Sequence, residues 1–192
     1  MQSSSSSPTS VPFIPTGFDR RDQPSLWVTR HSEMIRPGGR VLDLACGRGR
    51  HTRWLTRRGF QLTAVDADTQ AIAELAGLRN VDALCADLES GGWPLPGQRF
   101  DAVVITNYLY RPLMRHVAHA LDAGGLVIYE TFMQGNERFG RPRSPEYLLA
   151  PGELLEWSVS EGLELVAFEE GETSIPRPAV VQRLCARRPS RH

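Results

Sequence analysis

From Arg40 onward the chain alternates short apolar runs with stretches of helical periodicity, the pattern of βαβ units whose strands pair in parallel. Residues 40–45 (RVLDLA) predict a first buried strand, and residues 50–58 the helix after it, closed by Gly59. Residues 61–66 (QLTAVD) are a second strand, and Asp68 is placed to cap a helix over 69–76 that Gly77 ends. A third, shorter strand spans 81–86, and the Gly/Pro-dense GGWPLPGQ (91–98) is loop. The β-branched run 100–106 (FDAVVIT) is a fourth strand, followed by a helix over about 111–121 and a fifth strand over 126–131. A helix over 153–161 and two strands over 164–169 and 180–186 complete the pattern.

The last two strands are joined only by GETSIPRP, a turn-rich stretch suited to an antiparallel hairpin. The fold expected is therefore α/β: a Rossmann-like, doubly wound sheet of about seven strands, mostly parallel with a C-terminal antiparallel hairpin. Upstream, residues 24–35 (PSLWVTRHSEMI) predict a helix outside the sheet that brings Leu26, Trp27, His31, Met34 and Ile35 together, ended by Pro37, Gly38 and Gly39. Ser- and Pro-rich residues 1–16 are expected to be a disordered tail, which leaves 17–192 as one domain.

Composition changes this picture little. A length of 192 residues suits one domain, and 41% apolar with 23% charged residues is ordinary globular usage. Lys plus Arg and Asp plus Glu number 22 each, so no global field draws the chain to nucleic acid or to an anionic membrane. The arginines at 48, 50, 53, 57 and 58 spread around a helix and are expected to be a solvated surface. Cys46, Cys85 and Cys185 lie apart without metal-ligand spacing, so no metal is expected. The first residues carry neither a basic nor an apolar leader segment, and no run of about 18 apolar residues occurs; the expectation is cytoplasmic.

In open α/β sheets ligands bind beyond the carboxyl ends of the strands, where strand order reverses. The turn after the first strand reads DLACGRGRHT, with Gly47 and Gly49 permitting positive φ and close backbone approach. A nicotinamide fingerprint needs a glycine at the sixth place counted from Gly47, where Thr52 stands. Asp43, four residues before Gly47 and inside the strand, suits a ligand with an ammonium group. Asp66, 19 residues after Gly47, can accept from both ribose hydroxyls. Asp87 is either an acceptor for an adenine amino group or a turn acid.

The strings DLACGRGRH, VDAD, ADLE, FDAVVITNYL and the terminal hairpin resemble class I S-adenosylmethionine-dependent methyltransferases, over about residues 24–188. NYLYRPL and YETFMQGNERFGRPRSPEYLLAPGELL are similar to a small bacterial group distantly related to the tellurite-resistance methyltransferases. The resemblance implies S-adenosyl-L-methionine as cofactor and S-adenosyl-L-homocysteine as product; it names no acceptor, and a small molecule is the expectation. It implies Asp43, Ala45, Gly47 and Gly49 around the methionine portion, with Thr106 and Asn107 closing that side. Asp66 and Ala67 would hold ribose and adenine, and Asp87 and Leu88 the adenine edge. The more general family form has glycine where this chain has Ala45 and Cys46, and Cys46 is expected to pack.

A sulfonium is already a strong electrophile, so a base is needed only for an acceptor that must lose a proton. Residues at the carboxyl ends of the fourth and fifth strands face this position: Glu130 is the candidate base, with Tyr108 and Tyr110 either site or packing residues. Between Thr131 and Gly152 lies an insertion (about 132–151) far longer than the usual connection of roughly 2 to 6 residues. It is a candidate lid in which Arg138, Arg141 and Arg143 would grip an anionic or aromatic acceptor. Arg30 is a candidate partner for the cofactor carboxylate. Alternatives are a non-catalytic S-adenosylmethionine-binding protein, and a tellurite- or thiol-type methyltransferase as the specific activity. A monomer and a homodimer are both compatible with the sequence.

Overall fold

The computed structural model describes residues 23–190; the expected tail over 1–16 lies outside them. The strands are β1 (Arg40–Leu44), β2 (Gln61–Asp66), β3 (Val81–Cys85), β4 (Phe100–Thr106), β5 (Leu121–Phe132), β6 (Glu164–Thr173) and β7 (Ala179–Arg187). They form one sheet in the order β3-β2-β1-β4-β5-β7-β6. The first five pair in parallel, and β7 inserts antiparallel between β5 and β6. The doubly wound sheet with a C-terminal hairpin is the one expected. Strand order reverses between β1 and β4, so the crevice at their carboxyl ends is the ligand position of such a sheet.

The period-2 alternation of the strands divides the core into two layers. Leu42, Leu44, Val103, Ile105, Val127 and Tyr129 pack on one face with α4 (Met114–His119) and α5 (Glu153–Ser160). Val41, Leu62, Val104, Leu126 and Ile128 pack on the other with Trp27 and Val28 of α1 (Leu26–His31) and Leu55 of α2 (Arg50–Arg57). Cys46 packs with Ala64 and with Ile72 and Leu75 of α3 (Thr69–Ala76), as expected.

Three elements differ from their patterns. The N-terminal helix is one short α-helix continued by a 3-10 turn over Ser32–Met34, and it leaves Leu26 and Met34 exposed while burying Trp27, His31 and Ile35. Six helical residues bury only the positions on one side of less than two turns. The helix after β4 likewise opens with a 3-10 turn, Arg111–Leu113, because Pro112 lies in its first turn. The fifth strand starts at Leu121, five residues early, since Phe100–Leu121 and Ala102–Leu126 pair across an irregularity that absorbs Gly124 and Gly125.

Candidate active site

The turn after β1 alternates left-handed residues: Ala45 at φ 54°, Gly47 at 52° and Gly49 at 73°. The two glycines serve different ends. A Cβ on Gly47 would meet nothing within 4 Å, so its surface is open to a ligand, whereas one on Gly49 would lie 2.4 Å from Leu75 Cδ2. Gly49 is therefore needed for the close packing of α2 on α3. Ala45 adopts a conformation that costs a side-chain-bearing residue roughly 1 kcal/mol.

Two acids hold this turn. Asp66 at the end of β2 accepts the Gly47 amide on Oδ2 (2.7 Å) and the Asp68 amide on Oδ1 (2.9 Å), which ties the turn to the neighbouring strand. Each carboxylate oxygen keeps a second lone pair for a ligand hydroxyl. Asp43 lies buried beneath the turn and accepts the Thr52 hydroxyl at 2.6 Å, with the Thr52 amide a second donor. Gly49, at the N-cap of α2, has no side chain to cap the helix, and Asp43 takes over that office from the strand below. Burial pushes the Asp43 carboxyl up to about 6, against the Thr52 bonds and Arg50, which favour its charge.

At the end of β4, Thr106 is half-buried, and Asn107, left-handed at φ 56°, donates its amide to the Glu130 carbonyl at 2.9 Å. The Tyr108 hydroxyl is buried and has no partner among the described residues. Burial, then the charges of Glu89 and Asp87, push that phenol up, so it is a donor at neutral pH. Tyr110 instead donates its hydroxyl to the Glu89 carbonyl at 2.9 Å.

Other expected residues are engaged elsewhere. Asp87 is closed on its own turn, accepting the Glu89 amide and the Ser90 amide and hydroxyl, and the Ser90 hydroxyl holds its carboxyl below the usual range. That geometry is the turn acid of the two sequence readings. Leu88 is buried in the core and Ala67 is exposed beside Asp66. Glu130 accepts Arg183 Nε at 2.6 Å, and Arg183 also reaches Glu169. Arg30 is exposed on α1.

The 132–151 connection is ordered in two 3-10 turns, Asn136–Arg138 and Pro145–Tyr147, with Met133 and Leu149 bridged at its base. Arg138 pairs with Glu172 at 2.8 Å and lies over Phe139. Arg141 and Arg143, both exposed, line an open depression of about 610 Å³ with Tyr147. The connection is fastened by a residue that the sequence pattern did not single out. Arg111 donates to both Glu153 carboxylate oxygens (2.6 and 2.9 Å) and to the carbonyls of Glu146 (2.8 Å) and Leu148 (3.0 Å). Buried Gln182 adds the Leu154 amide and the Ala150 carbonyl. His51, at the start of α2, joins two further elements: its Nε2 accepts the Ser25 amide and its Nδ1 lies 3.4 Å from Thr106 Oγ1.

Residues 41–125 match the family model for the methyltransferase domain. That stretch resembles a methyltransferase domain. The matched stretch contains the glycine turn, Asp66 and the end of β4, and the cofactor that this enzyme family implies is S-adenosylmethionine. Among solved structures, TehB from Haemophilus influenzae is 21% identical with a TM-score of 0.69, over 84% of this chain. The chain spans 61% of that protein's length. A S-adenosylmethionine-dependent methyltransferase from Mesorhizobium loti is 22% identical (TM-score 0.62) over 80% of this chain and 93% of the other. The [4+2]-cyclase SpnF is 18% identical (TM-score 0.67) over 85% and 80%. A cyclase among the neighbours means that the shared fold alone does not name the reaction of this domain. No curated protein sequence matches the chain.

Proposed function

We propose that this chain transfers a methyl group from S-adenosylmethionine to a small-molecule acceptor at the β1–β4 crevice. The observation that carries the reading is the Asp66–Gly47 bond, which holds an open-faced left-handed glycine turn at the switch point with acceptor capacity to spare. The residues present fit the cofactor: Gly47 leaves room, Asp43 supplies buried negative charge beneath the turn, and the Tyr108 hydroxyl is a donor without a partner among the described residues. When bound there, S-adenosylmethionine supplies a sulfonium-linked methyl group open to in-line displacement.

The chain's own groups divide the remaining work. The α2 amides and the left-handed turn present positive dipole ends to a carboxylate, Asp66 accepts from ribose hydroxyls, and Thr106 and Asn107 bound the methionine side. The α1 segment and the 132–151 connection cover the crevice and exclude water within a single domain over 17–192. Glu130 is engaged by Arg183 and orients the end of β5. This favours an acceptor whose lone pair is already exposed, an ionised thiol or a metalloid oxyanion. Arg141 and Arg143, which line the open depression of the 132–151 connection, would attract such an anion.

Among the described residues no helix is long and apolar enough to cross a membrane. A cytoplasmic monomer or homodimer without nucleic-acid partners is the setting we propose. Arg53 reaches Glu74 and Arg58 stacks on Trp54, so these arginines of the α2 region have partners on the protein itself. Incubating the purified chain with S-adenosylmethionine and separate pools of thiols, tellurite, selenite and aromatic acids, and following S-adenosylhomocysteine release, tests the reaction. Release with a thiol or oxyanion pool is expected. Binding without release in every pool would leave a non-catalytic cofactor-binding protein.

A further inference from the structure

His51 is the second residue of α2, two places after Gly49, and is 1% exposed. A leucine would fill such a site as well if packing were the only requirement. The imidazole instead joins three elements. Its Nε2 accepts the backbone N–H of Ser25 at 3.1 Å, so Nε2 is unprotonated and the neutral ring carries its proton on Nδ1, directed at Thr106 Oγ1. Burial, and then the charge of Arg50, push His51 down to about 3, which keeps this single neutral form over the physiological range.

Ser25 is the N-cap of α1, its Oγ accepting the Trp27 amide. Further along the helix, the Trp27 indole donates to the Leu184 carbonyl of β7, and His31 Nδ1 donates to the Trp27 carbonyl. The segment is thus fastened at one end to β7 and at the other to the first turn of α2. Thr106, the third partner, ends β4 across the crevice.

We propose that His51 is a positioning residue that pins the N-terminal helix to the cofactor turn and so sets how long the cofactor stays bound. This rests on the reading that the cofactor lies over the glycine turn. The N-terminal helix, the first turn of α2 and the end of β4 are then one body at the mouth of the crevice. Without the pin, the half-buried Ser25 N–H loses its acceptor and α1 detaches at that end. The turn itself, held by Asp66 and Asp43, keeps its shape, so dissociation accelerates more than association slows.

The test is stopped-flow kinetics of S-adenosylhomocysteine with the full chain. His51→Leu should raise the dissociation rate about tenfold with an association rate within about twofold, and His51→Gln, which offers an acceptor oxygen near the place of Nε2, should recover most of the loss. Ser25 has φ −57°, compatible with proline. Ser25→Pro therefore removes the donor while leaving His51 in place, and Ser25→Ala is its control for the lost cap. Ser25→Pro should dissociate about tenfold faster than Ser25→Ala. This pair decides the matter even where His51→Leu does not fold. Equal rates in the two serine variants, or a folded His51→Leu with the wild-type dissociation rate, would overturn the role of His51. Failure of the wild-type chain to bind at all would instead overturn the functional reading on which the role rests.

Discussion

The two halves of the sheet hold their loops by different means. On the β1–β3 side short acids bind backbone amides close at hand: Asp66 holds Gly47 and Asp68, Asp68 caps α3, and Asp87 closes its own turn. On the β4–β7 side long side chains reach across elements: Arg111 gathers Glu146, Leu148 and Glu153, Arg183 joins Glu130 to Glu169, and Gln182 holds the start of α5. Backbone amides fix one geometry for an invariant ligand. Guanidinium and amide side chains hold a connection whose length and lining are free to change with the acceptor. The proposed reading gives the first half the cofactor and the second the acceptor.

Four perturbations sharpen or break that division. Asp66→Ala strikes the backbone-held side hardest: it frees the Gly47 and Asp68 amides and should weaken S-adenosylhomocysteine by about 1 to 3 kcal/mol, or roughly 5- to 150-fold. Calorimetry reads this, and unchanged affinity would remove Asp66 from the site. Arg111→Met should cost about 2 kcal/mol of stability, lowering the melting temperature by roughly 4 to 8 °C. Its cofactor affinity should stay within about twofold. A large loss of that affinity would show that the two halves are not independent.

The third concerns Asp43. Between the usual carboxylate range and about 6 the folded chain holds more protons at this group than the unfolded chain does, so its contribution to stability falls as pH rises through that window. The slope should reach at most about 1.4 kcal/mol per pH unit and vanish in Asp43→Asn. Asp87, held low by Ser90, acts with the opposite sign and below that window. Cofactor affinity should run the other way, tightening as pH climbs through about 6. Chemical denaturation and calorimetry between pH 4.5 and 7.5 read both trends. The smallest effect is Ala45→Gly, which relieves the left-handed strain and should stabilise the fold by about 0.5 to 1 kcal/mol in a melting curve.

The same division decides what the sequence disclosed. The strands, the switch point and the Asp68 cap follow from alternation, glycines and a capping acid, signals written within a few residues. Asp43 and Asp66 were legible as positions. Their partners were not, because the Asp43–Thr52 bond depends on how α2 leaves the turn. Thr52, which ruled out a nicotinamide fingerprint, is itself the link that seats α2 on β1. Arg111 carried no signal, and the partners of His51 none, since both sets lie 26 to 55 residues away and only the folded topology supplies them. Glu130 was visible as a strand-end acid, but its Arg183 partner lies 53 residues on, across an antiparallel pair.

The most direct test of the central claim is a calorimetric titration of the full chain with S-adenosylhomocysteine and, separately, with NAD. The β1–β4 crevice predicts binding of S-adenosylhomocysteine at about micromolar affinity, weakened in Asp66→Ala, and silence with NAD. Binding of NAD with no response to S-adenosylhomocysteine would contradict it.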